Sequence, residues 1–239
     1  MNHNPFPPFP RQHSAFECPE FSKQLEDIVR GTHNTLIQIF NEHGNAINTQ
    51  KIEIVEQAMA EAFIEPTDVV LELGARYGSV SCRINLKLQD KTKQVSVEPD
   101  SRVWDALEKN RELNKCGFHI LKGCISHVPR DLENLNVANG YATSTYEKSE
   151  STLPCYRLEE VKQMFGIDTF TVVFADCEGC LGPFIQENPT IFDSLRLFLF
   201  EADNAKNCNY KSIIDMLVKK DFEEIKKGYH SVWRKKNLT

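Results

Sequence analysis

Acidic residues and glycines recur where short apolar runs of this 239-residue sequence end. The run "VVLELGARYGS" places Glu72 and Gly74 at the end of a predicted strand and Gly78 where a helix should begin. Glu98 ends the next apolar run, "VSVEPD", 24 residues after Gly74. Glycine allows a backbone to approach a ligand closely, and an acid at a second strand end can accept both hydroxyls of an adenosine ribose. The spacing therefore predicts a loop and an acid that together hold a nucleoside.

The elements that must position these residues alternate beyond Pro66. Short apolar runs such as "KQVSVEP", "FTVVFADCEG" and "RLFLFEAD" are separated by helical patterns such as "WDALEKNRELNK" and "YKSIIDMLVKK". This alternation predicts an α/β fold, a Rossmann-like doubly wound and mostly parallel sheet with helices on both faces. Ligands bind such sheets at the carboxyl ends of the strands, where the strand order reverses. Acids that end different strands should therefore meet in one crevice.

Composition divides the chain into three regions. Residues 1–18 are rich in proline and phenylalanine and predict an extended arm. Residues 19–65 predict a helical region, with the segments "FSKQLEDIVRG", "HNTLIQIFNEHG" and "NTQKIEIVEQAMAEAFI". Residues 66–239 form the alternating domain. Within it, residues 129–152 are polar and rich in turn formers, and we interpret them as a lid or a wall of the substrate site.

Several stretches, taken in order, resemble one family. The ExGxxxG loop and the acid at the next strand end resemble the class I S-adenosylmethionine-dependent methyltransferases. The stretch "EPDSRVWDALEKNRELNKCGF", with Leu107, Asn110 and Asn114, is similar to the FkbM family within that class, as are "LPCYRLEEV" and "VVFADCEGCLGPFIQ" after it. The likeness covers roughly residues 69–235. It implies the class I methyltransferase fold, with S-adenosylmethionine as the cofactor.

The resemblance also implies roles for individual residues. Glu72, Gly74 and Gly78 would cradle the methionine part of the cofactor, and Glu98 would hold the ribose. The implied cofactor set is Glu72, Gly74, Ala75, Arg76, Tyr77, Gly78, Glu98, Pro99, Cys124 and Ile125, the last two beside the adenine, and Asp176 beside the sulfonium and the acceptor. The sequence departs from the family pattern at Phe174, at Cys180 and Leu181, and at Glu159 and Glu160. These departures bear on the acceptor more than on the cofactor.

Methyl transfer to oxygen needs an aligned donor and acceptor and a group that removes a hydroxyl proton. Asp176 and Glu178 are the candidate catalytic bases. In the alternative interpretation, Asp176 only binds the cofactor amine and Glu178 caps the following helix.

A second arrangement involves a metal ion. Asp176 ends one predicted strand, and Asp203 and Asn204 follow the next, which is similar to the catechol-type O-methyltransferases. A divalent cation, Mg or Mn, held by these oxygens could bind neighbouring substrate hydroxyls and lower the pKa of one. In the alternative interpretation, Asp203 and Asn204 only turn the chain after the strand.

Charge and cysteine content limit the partners. The net charge of −6 gives no basic field for nucleic acid, and no apolar run approaches the ~20 residues that span a bilayer. The N-terminus lacks the pattern of a secretion signal, so a cytoplasmic location is the default expectation. Most of the eight cysteines are expected to be reduced and buried. The CxxC of Cys177 and Cys180 is interpreted as two small buried residues, with zinc or redox use as the alternative.

The combined prediction is an enzyme, an S-adenosylmethionine-dependent O-methyltransferase acting on a hydroxyl of a sugar, a glycan or another small polar acceptor. A ribose 2'-O-methyltransferase of RNA is an alternative that would use Asp176 and Glu201, although no lysine is convincingly placed and the acidic charge disfavours a phosphate-tracking groove. A cofactor-binding regulatory module without chemistry is a second alternative. A nicotinamide oxidoreductase is disfavoured because the glycine spacing is GxxxG and not GxGxxG. Self-association is left open.

Overall fold

The structure of the protein, a computed structural model, describes residues 37–133 and 143–236. Its helices and strands follow in chain order: β1 (Ile39–Phe40), β2 (Ala46–Ile47), α1 (Ile54–Phe63), β3 (Val70–Leu73), α2 (Ser79–Lys87), β4 (Gln94–Glu98), α3 (Trp104–Leu113), β5 (His119–Lys122), β6 (Cys124–Ile125), β7 (Arg130–Glu133), β8 (Ser144–Glu147), β9 (Cys155–Tyr156), α4 (Leu158–Phe165), β10 (Val172–Ala175), α5 (Leu181–Glu187), a 3-10 helix (Pro189–Asp193), β11 (Leu197–Glu201), α6 (Tyr210–Lys219), β12 (Phe222–Lys226) and β13 (His230–Lys235).

A seven-stranded sheet lies at the centre, with the strand order β12-β13-β11-β10-β3-β4-β5. The strands from β11 to β5 in this order pair in parallel, whereas β13 runs antiparallel to both β11 and β12. The chain moves outward from β3 to β4 and β5, and then continues on the other side of β3 through β10 and β11. The strand order therefore reverses beside β3, and the predicted doubly wound, mostly parallel fold is confirmed.

Apolar residues of the central strands build a layer on each face of the sheet. On one face, Leu71, Val173 and Phe198 pack with residues of α4, α5 and α6. On the other face, Val70 and Phe174 pack with residues of α1 and α2. β3, β4 and β10 are buried along their whole length; β3 (VLEL) and β10 (VVFA) are accordingly mostly apolar, whereas β4 (QVSVE) alternates valines with polar residues. This is the pattern from which the strands could be predicted.

The N-terminal region contains a hairpin where the sequence predicts a helix. Helix α1 is present as expected, but β1 and β2 form an antiparallel pair, so the helix predicted for "HNTLIQIFNEHG" is wrong over its described residues. Asn41 explains the turn, because its Oδ1 accepts hydrogen bonds from the backbone N–H groups of His43 and Asn45. Gly44 completes the turn with a φ of 77°. Residues 1–36, including the predicted arm, lie outside the described residues, and the division of the chain at residue 65 stays a prediction.

Two asparagines of the α3 region hold β1 against the rest of the protein. The side-chain amide of Asn110 accepts from the N–H of Phe40 at 3.0 Å and donates to its carbonyl at 2.8 Å. Asn114 makes the same pair of bonds with Gln38. Asn110 also donates to the carbonyl of Tyr77, which joins β1 to the glycine loop. These long-range bonds satisfy the backbone of β1 as an extended segment and outweigh its local helical pattern.

The polar stretch 129–152 contains an antiparallel hairpin of β7 and β8, in register from the pair Arg130 and Glu147 to the pair Glu133 and Ser144. Residues 134–142 lie outside the described residues. None of the helices in the described ranges has the length and apolar character that crossing a bilayer requires.

Candidate active site

The register of the sheet brings the ends of neighbouring strands to one level. Leu73, the last residue of β3, is level with Val97 of β4 and with Ala175 of β10. Ala175 is in turn level with Phe200 of β11. One residue further along each of these segments lies a residue singled out in the sequence. This row consists of Glu98, Gly74, Asp176 and Glu201.

A cavity of about 850 Å³, including its mouth to solvent, opens beside this row. It lies where the strand order reverses, as expected for a doubly wound sheet. The predicted site residues that line it are Gly74, Arg76, Glu98, Pro99, Cys124, Ile125, Asp176 and Glu178. Sequence reasoning missed Glu53 before α1, which also lines the cavity. Arg130, Thr143 and Thr145, which line it too, lie in the stretch 129–152 interpreted as a lid or wall, although no single residue of that stretch was named.

Gly74 brings two strand ends into close contact. Its φ is +95°, and a Cβ at this position would overlap the carbonyl oxygen of Asp176 and lie 2.8 Å from its carbonyl carbon. The backbone N–H of Asp176 also donates to the carbonyl of Leu73 at 3.0 Å. Glycine at 74 is therefore required for the loop after β10 to lie directly against the loop after β3.

Glu98 fixes the glycine loop from the other side. One carboxylate oxygen accepts from the N–H of Arg76 and the other from the N–H of Asp100, each at 2.7 Å. Burial raises the pKa of Glu98 to about 7, although these two hydrogen bonds favour its charged form. Arg76 has a φ of 45° and its guanidinium pairs with Asp100 at 2.9 Å.

Four members of the implied cofactor set do not line the cavity and lie behind the residues that do. Glu72 is buried below the loop, where burial raises its pKa to about 7. The hydroxyl of Tyr77 donates to Glu42 at 2.5 Å. Gly78 precedes α2, and a Cβ there would press against a side chain of α3. Ala75, the fourth, is buried.

Acidic side chains dominate the cavity at the ends of β10 and β11. Burial, and then the neighbouring Glu201, raises the pKa of Asp176 well above its ordinary value. Burial also acts to raise the pKa of Glu201, but hydrogen bonds from His230 and Asp176 outweigh it and the net pKa is lowered. The pair therefore favours one shared proton, with the pKa of Asp176 above that of Glu201. Burial, and then Asp203, raises the pKa of Glu178 to about 7.

His230 extends the row on β13, where it pairs with Glu201. Its Nε2 lies 2.5 Å from Oε1 of Glu56 and 3.4 Å from Oε1 of Glu201. Burial acts to lower the pKa of His230, but its hydrogen bonds to these two carboxylates raise it to about 9. An imidazolium thus partly balances the acids. Sequence reasoning assigned no role to His230, because its partner Glu56 lies 174 positions away in the chain.

Three carboxylates are arranged as a candidate cation site. Asp176, Glu201 and Asp203 each offer an oxygen, and these oxygens lie within 4.8 Å of one another. This set of hard oxygen ligands fits a divalent cation. The side-chain amide of Asn204 donates to the carbonyl of Glu178, and its Oδ1 accepts from the N–H of Asn207, each at 3.3 Å, so its role as a cation ligand stays a prediction. Asp203 also accepts from the N–H of Glu178 at 2.5 Å, so both residues shape the turn after β10.

Cys177 and Cys180 form a disulfide that lines the cavity. The interpretation of this pair as reduced core residues is therefore wrong. The turn between them has left-handed backbone at Glu178 and Gly179, with φ of 51° and 88°. This turn brings the two Cα atoms to 5.5 Å, a separation that a disulfide can bridge. The other described cysteines are free, as predicted.

The strand order, with its antiparallel β13, and the cavity at the reversal point define a Rossmann-like fold of the class I methyltransferase type. No family model matches the sequence, and no curated protein matches it. The similarity of the sequence to the FkbM family therefore stays a resemblance, and the chain is not assigned to that family.

Solved structures with a similar fold include three methyltransferases. A provisional O-methyltransferase from Klebsiella pneumoniae is 11% identical, with 90% of this chain and 88% of that chain covered and a TM-score of 0.48. The ribosomal protein L11 methylase from Lactobacillus delbrueckii subsp. bulgaricus is 15% identical, with 78% and 80% covered and a TM-score of 0.46. A methyltransferase from Pyrococcus furiosus is 14% identical, with 90% and 95% covered and a TM-score of 0.44. Such distant likeness concerns the fold alone, and with scores below 0.5 the fold assignment rests on the strand order.

Proposed function

We propose that the protein is an S-adenosylmethionine-dependent O-methyltransferase that acts on a hydroxyl of a sugar, a glycan or another small polar acceptor. The observation that carries the proposal is a cluster of carboxyl groups at one end of the cavity, whose pKa values are raised by burial and would be lowered by a bound cation. Glu53, Asp176 and Glu178 line it, with Glu201 directly behind Asp176. S-Adenosylmethionine carries a sulfonium and an ammonium group, which such an acidic end favours. A dinucleotide carries a pyrophosphate, which the same acids repel.

The residues present fit this cofactor on two further grounds. Gly74 lines the cavity and lets the loops after β3 and β10, which would both contact the cofactor, lie directly against each other. Glu98, at the end of β4, has both the position and the acceptor oxygens for ribose hydroxyls. The cofactor would thus lie with its methionine part at Gly74, its ribose at Glu98 and its adenine at Cys124 and Ile125. When bound, it supplies a methyl group activated by the positive sulfur.

Glu178 is the base that the structure favours for the acceptor hydroxyl. Its carboxyl lines the cavity, and its pKa of about 7 suits proton removal near neutral pH. The carboxyl of Asp176 is engaged with Glu201, which raises its pKa, so we assign Asp176 to binding and orientation of the donor. A Glu178→Gln variant should lower kcat and remove the acid limb of the pH–rate profile near pH 7, while its affinity for S-adenosylhomocysteine stays within about threefold of the wild type.

Calorimetry with S-adenosylmethionine, S-adenosylhomocysteine and NADH tests the proposed cofactor. We expect both adenosyl compounds to bind and NADH not to bind. If neither adenosyl compound binds, the proposal fails. Transfer of a radiolabelled methyl group to sugars, an RNA oligonucleotide and phenols then tests the acceptor class. Binding of the cofactor without transfer to any acceptor would favour a regulatory module.

A divalent cation at Asp176, Glu201 and Asp203 is part of the proposal, with Glu201 added to the predicted ligands Asp176, Asp203 and Asn204. The cation would lower the pKa of a bound hydroxyl. Activity that falls in EDTA and returns with Mg or Mn would support it, whereas full activity in EDTA would remove it. Methylation of RNA is the weaker alternative, because none of the described residues that line the cavity is a lysine.

A further inference from the structure

One side chain in the cavity wall has a charge opposite to that of the acidic end. Arg130, the first residue of β7, lines the cavity and is only 9% exposed. Its Nε donates to the hydroxyl of Thr145 and its Nη2 to the carbonyl of the same residue, each at 3.1 Å. These two bonds hold the guanidinium in a fixed orientation against β8. Its Nη1 has no hydrogen-bond partner among residues 37–133 and 143–236.

The charge of Arg130 has no counter-ion in the described part of the chain. The other arginine that lines the cavity, Arg76, pairs with Asp100 at 2.9 Å. Residues 134–142, which lie between β7 and β8 in the sequence, contain no aspartate or glutamate. Removing a guanidinium from water without a counter-ion is unfavourable, and a bound anion would offset that cost.

We propose that Arg130 binds an anionic group, a carboxylate or a phosphate, on the acceptor. Guanidinium is the side-chain group best shaped for such anions, because it presents parallel N–H donors to their oxygens. The inference rests on the proposed function, in which the donor has one anionic group, the carboxylate of its methionine part. That carboxylate belongs at Gly74, whereas Arg130 lies on the β7–β8 hairpin near Cys124. The anion that Arg130 binds is therefore the acceptor's.

Acidic side chains and Arg130 thus line the same cavity. Glu178 would take the proton of the acceptor hydroxyl, and Arg130 would bind an anionic group of the same molecule. A small acidic sugar, with a carboxylate or phosphate and several hydroxyls, has this combination of groups. A neutral sugar would leave Arg130 without a counter-ion.

The test compares three hexoses on the protein saturated with S-adenosylhomocysteine. Galactose, galacturonate and galactose 6-phosphate are titrated by calorimetry at constant ionic strength. We expect at least one of the two anionic sugars to bind about tenfold or more tightly than galactose. Whichever of the two anionic sugars binds more tightly indicates whether the anionic group of the acceptor is a carboxylate or a phosphate.

Arg130→Gln should abolish the preference, and Arg130→Lys should keep part of it. Lys148→Gln is the matched control, since it removes a positive charge from the β8 end of the same hairpin, where Lys148 is exposed and pairs with Asp131. The preference should persist in this control. Circular dichroism and thermal unfolding check that each variant is folded, and Arg130→Lys serves for the comparison if Arg130→Gln does not fold.

The outcomes separate this inference from the proposed function. If S-adenosylhomocysteine does not bind the wild type, the proposed function fails, and the inference fails with it. If it binds but neither anionic sugar exceeds galactose, or if Lys148→Gln loses the preference as fully as Arg130→Gln, only the inference is overturned. If Arg130→Gln loses more than about tenfold in affinity for S-adenosylhomocysteine, Arg130 binds the carboxylate of the donor and not an anion of the acceptor. That result also overturns the inference.

Discussion

Replacement of Gly74 by alanine tests whether the site depends on close contact between two strand ends. Two unfavourable terms add at this position. An L-residue at a φ of +95° is strained, and the new Cβ would overlap the carbonyl of Asp176. Left-handed backbone costs an L-residue about 1–2 kcal/mol, and forced overlap in a packed region costs about 1–3 kcal/mol. We therefore expect Gly74→Ala to lower the free energy of unfolding by about 2–5 kcal/mol.

Gly166 provides the matched control for the strain alone. It ends α4 with a φ of +64°, and a Cβ there would have no atom within 4 Å. Gly166→Ala should thus cost only about 1–2 kcal/mol. Urea denaturation of both variants, with a check that the m-values agree, measures the difference. Gly74→Ala should also lose affinity for S-adenosylhomocysteine, because the loop after β10 must move away from the loop after β3. Equal destabilisation by the two substitutions would refute the close contact.

Three further predictions concern groups around the cavity. Burial raises the pKa of Glu98 from 4.5 to about 7, so the contribution of its protonated form to stability is complete below pH 4.5 and is lost as the pH rises through 7. Glu98→Gln should therefore flatten the fall in the free energy of unfolding between about pH 5 and 8. An unchanged slope would contradict this prediction. Reduction of the disulfide should destabilise the wild type by about 2 kcal/mol and leave the double variant Cys177→Ser/Cys180→Ser unchanged in the same denaturation assay. Asn110→Ala should lower the free energy of unfolding, measured by thermal unfolding, by about 2 kcal/mol or more, because buried backbone groups of β1 lose their hydrogen-bond partner. Asn114 is more exposed, so Asn114→Ala should lower it by less than about 1 kcal/mol.

The fold could be predicted from the sequence because each of the strands β3, β4 and β10 is a short buried segment with apolar residues, followed by a glycine or an acid. Leu73, Val97 and Ala175 are the last apolar residues of these segments, and the register of a parallel sheet then brings the following residues together. Neither step requires knowledge of a distant contact. For this reason the cavity residues at the ends of β3, β4 and β10 were accessible to sequence reasoning.

The rest of the site depends on contacts that no local pattern encodes. Glu53 lies before α1, outside the recognisable motifs, and reaches the cavity only because α1 packs on the sheet face of Val70. Arg130 lies in a stretch whose polarity indicates a loop but not which side chain points inward. The hairpin of β1 and β2 was missed because its backbone is satisfied by Asn110, 70 positions away from Phe40.

The distribution of charge discriminates between ligands where the fold does not. A doubly wound sheet accommodates many ligands at its reversal point, so the fold determines where a ligand binds and leaves its identity open. In the proposed function, the donor is selected by Asp176, Glu178 and Glu201 and the acceptor by Arg130. The carboxyl groups favour a positively charged donor over a pyrophosphate, and a guanidinium with no counter-ion among the described residues favours an acidic acceptor over a neutral one. The two selections use different residues, so a variant at Arg130 should change the choice of acceptor and leave the choice of donor intact.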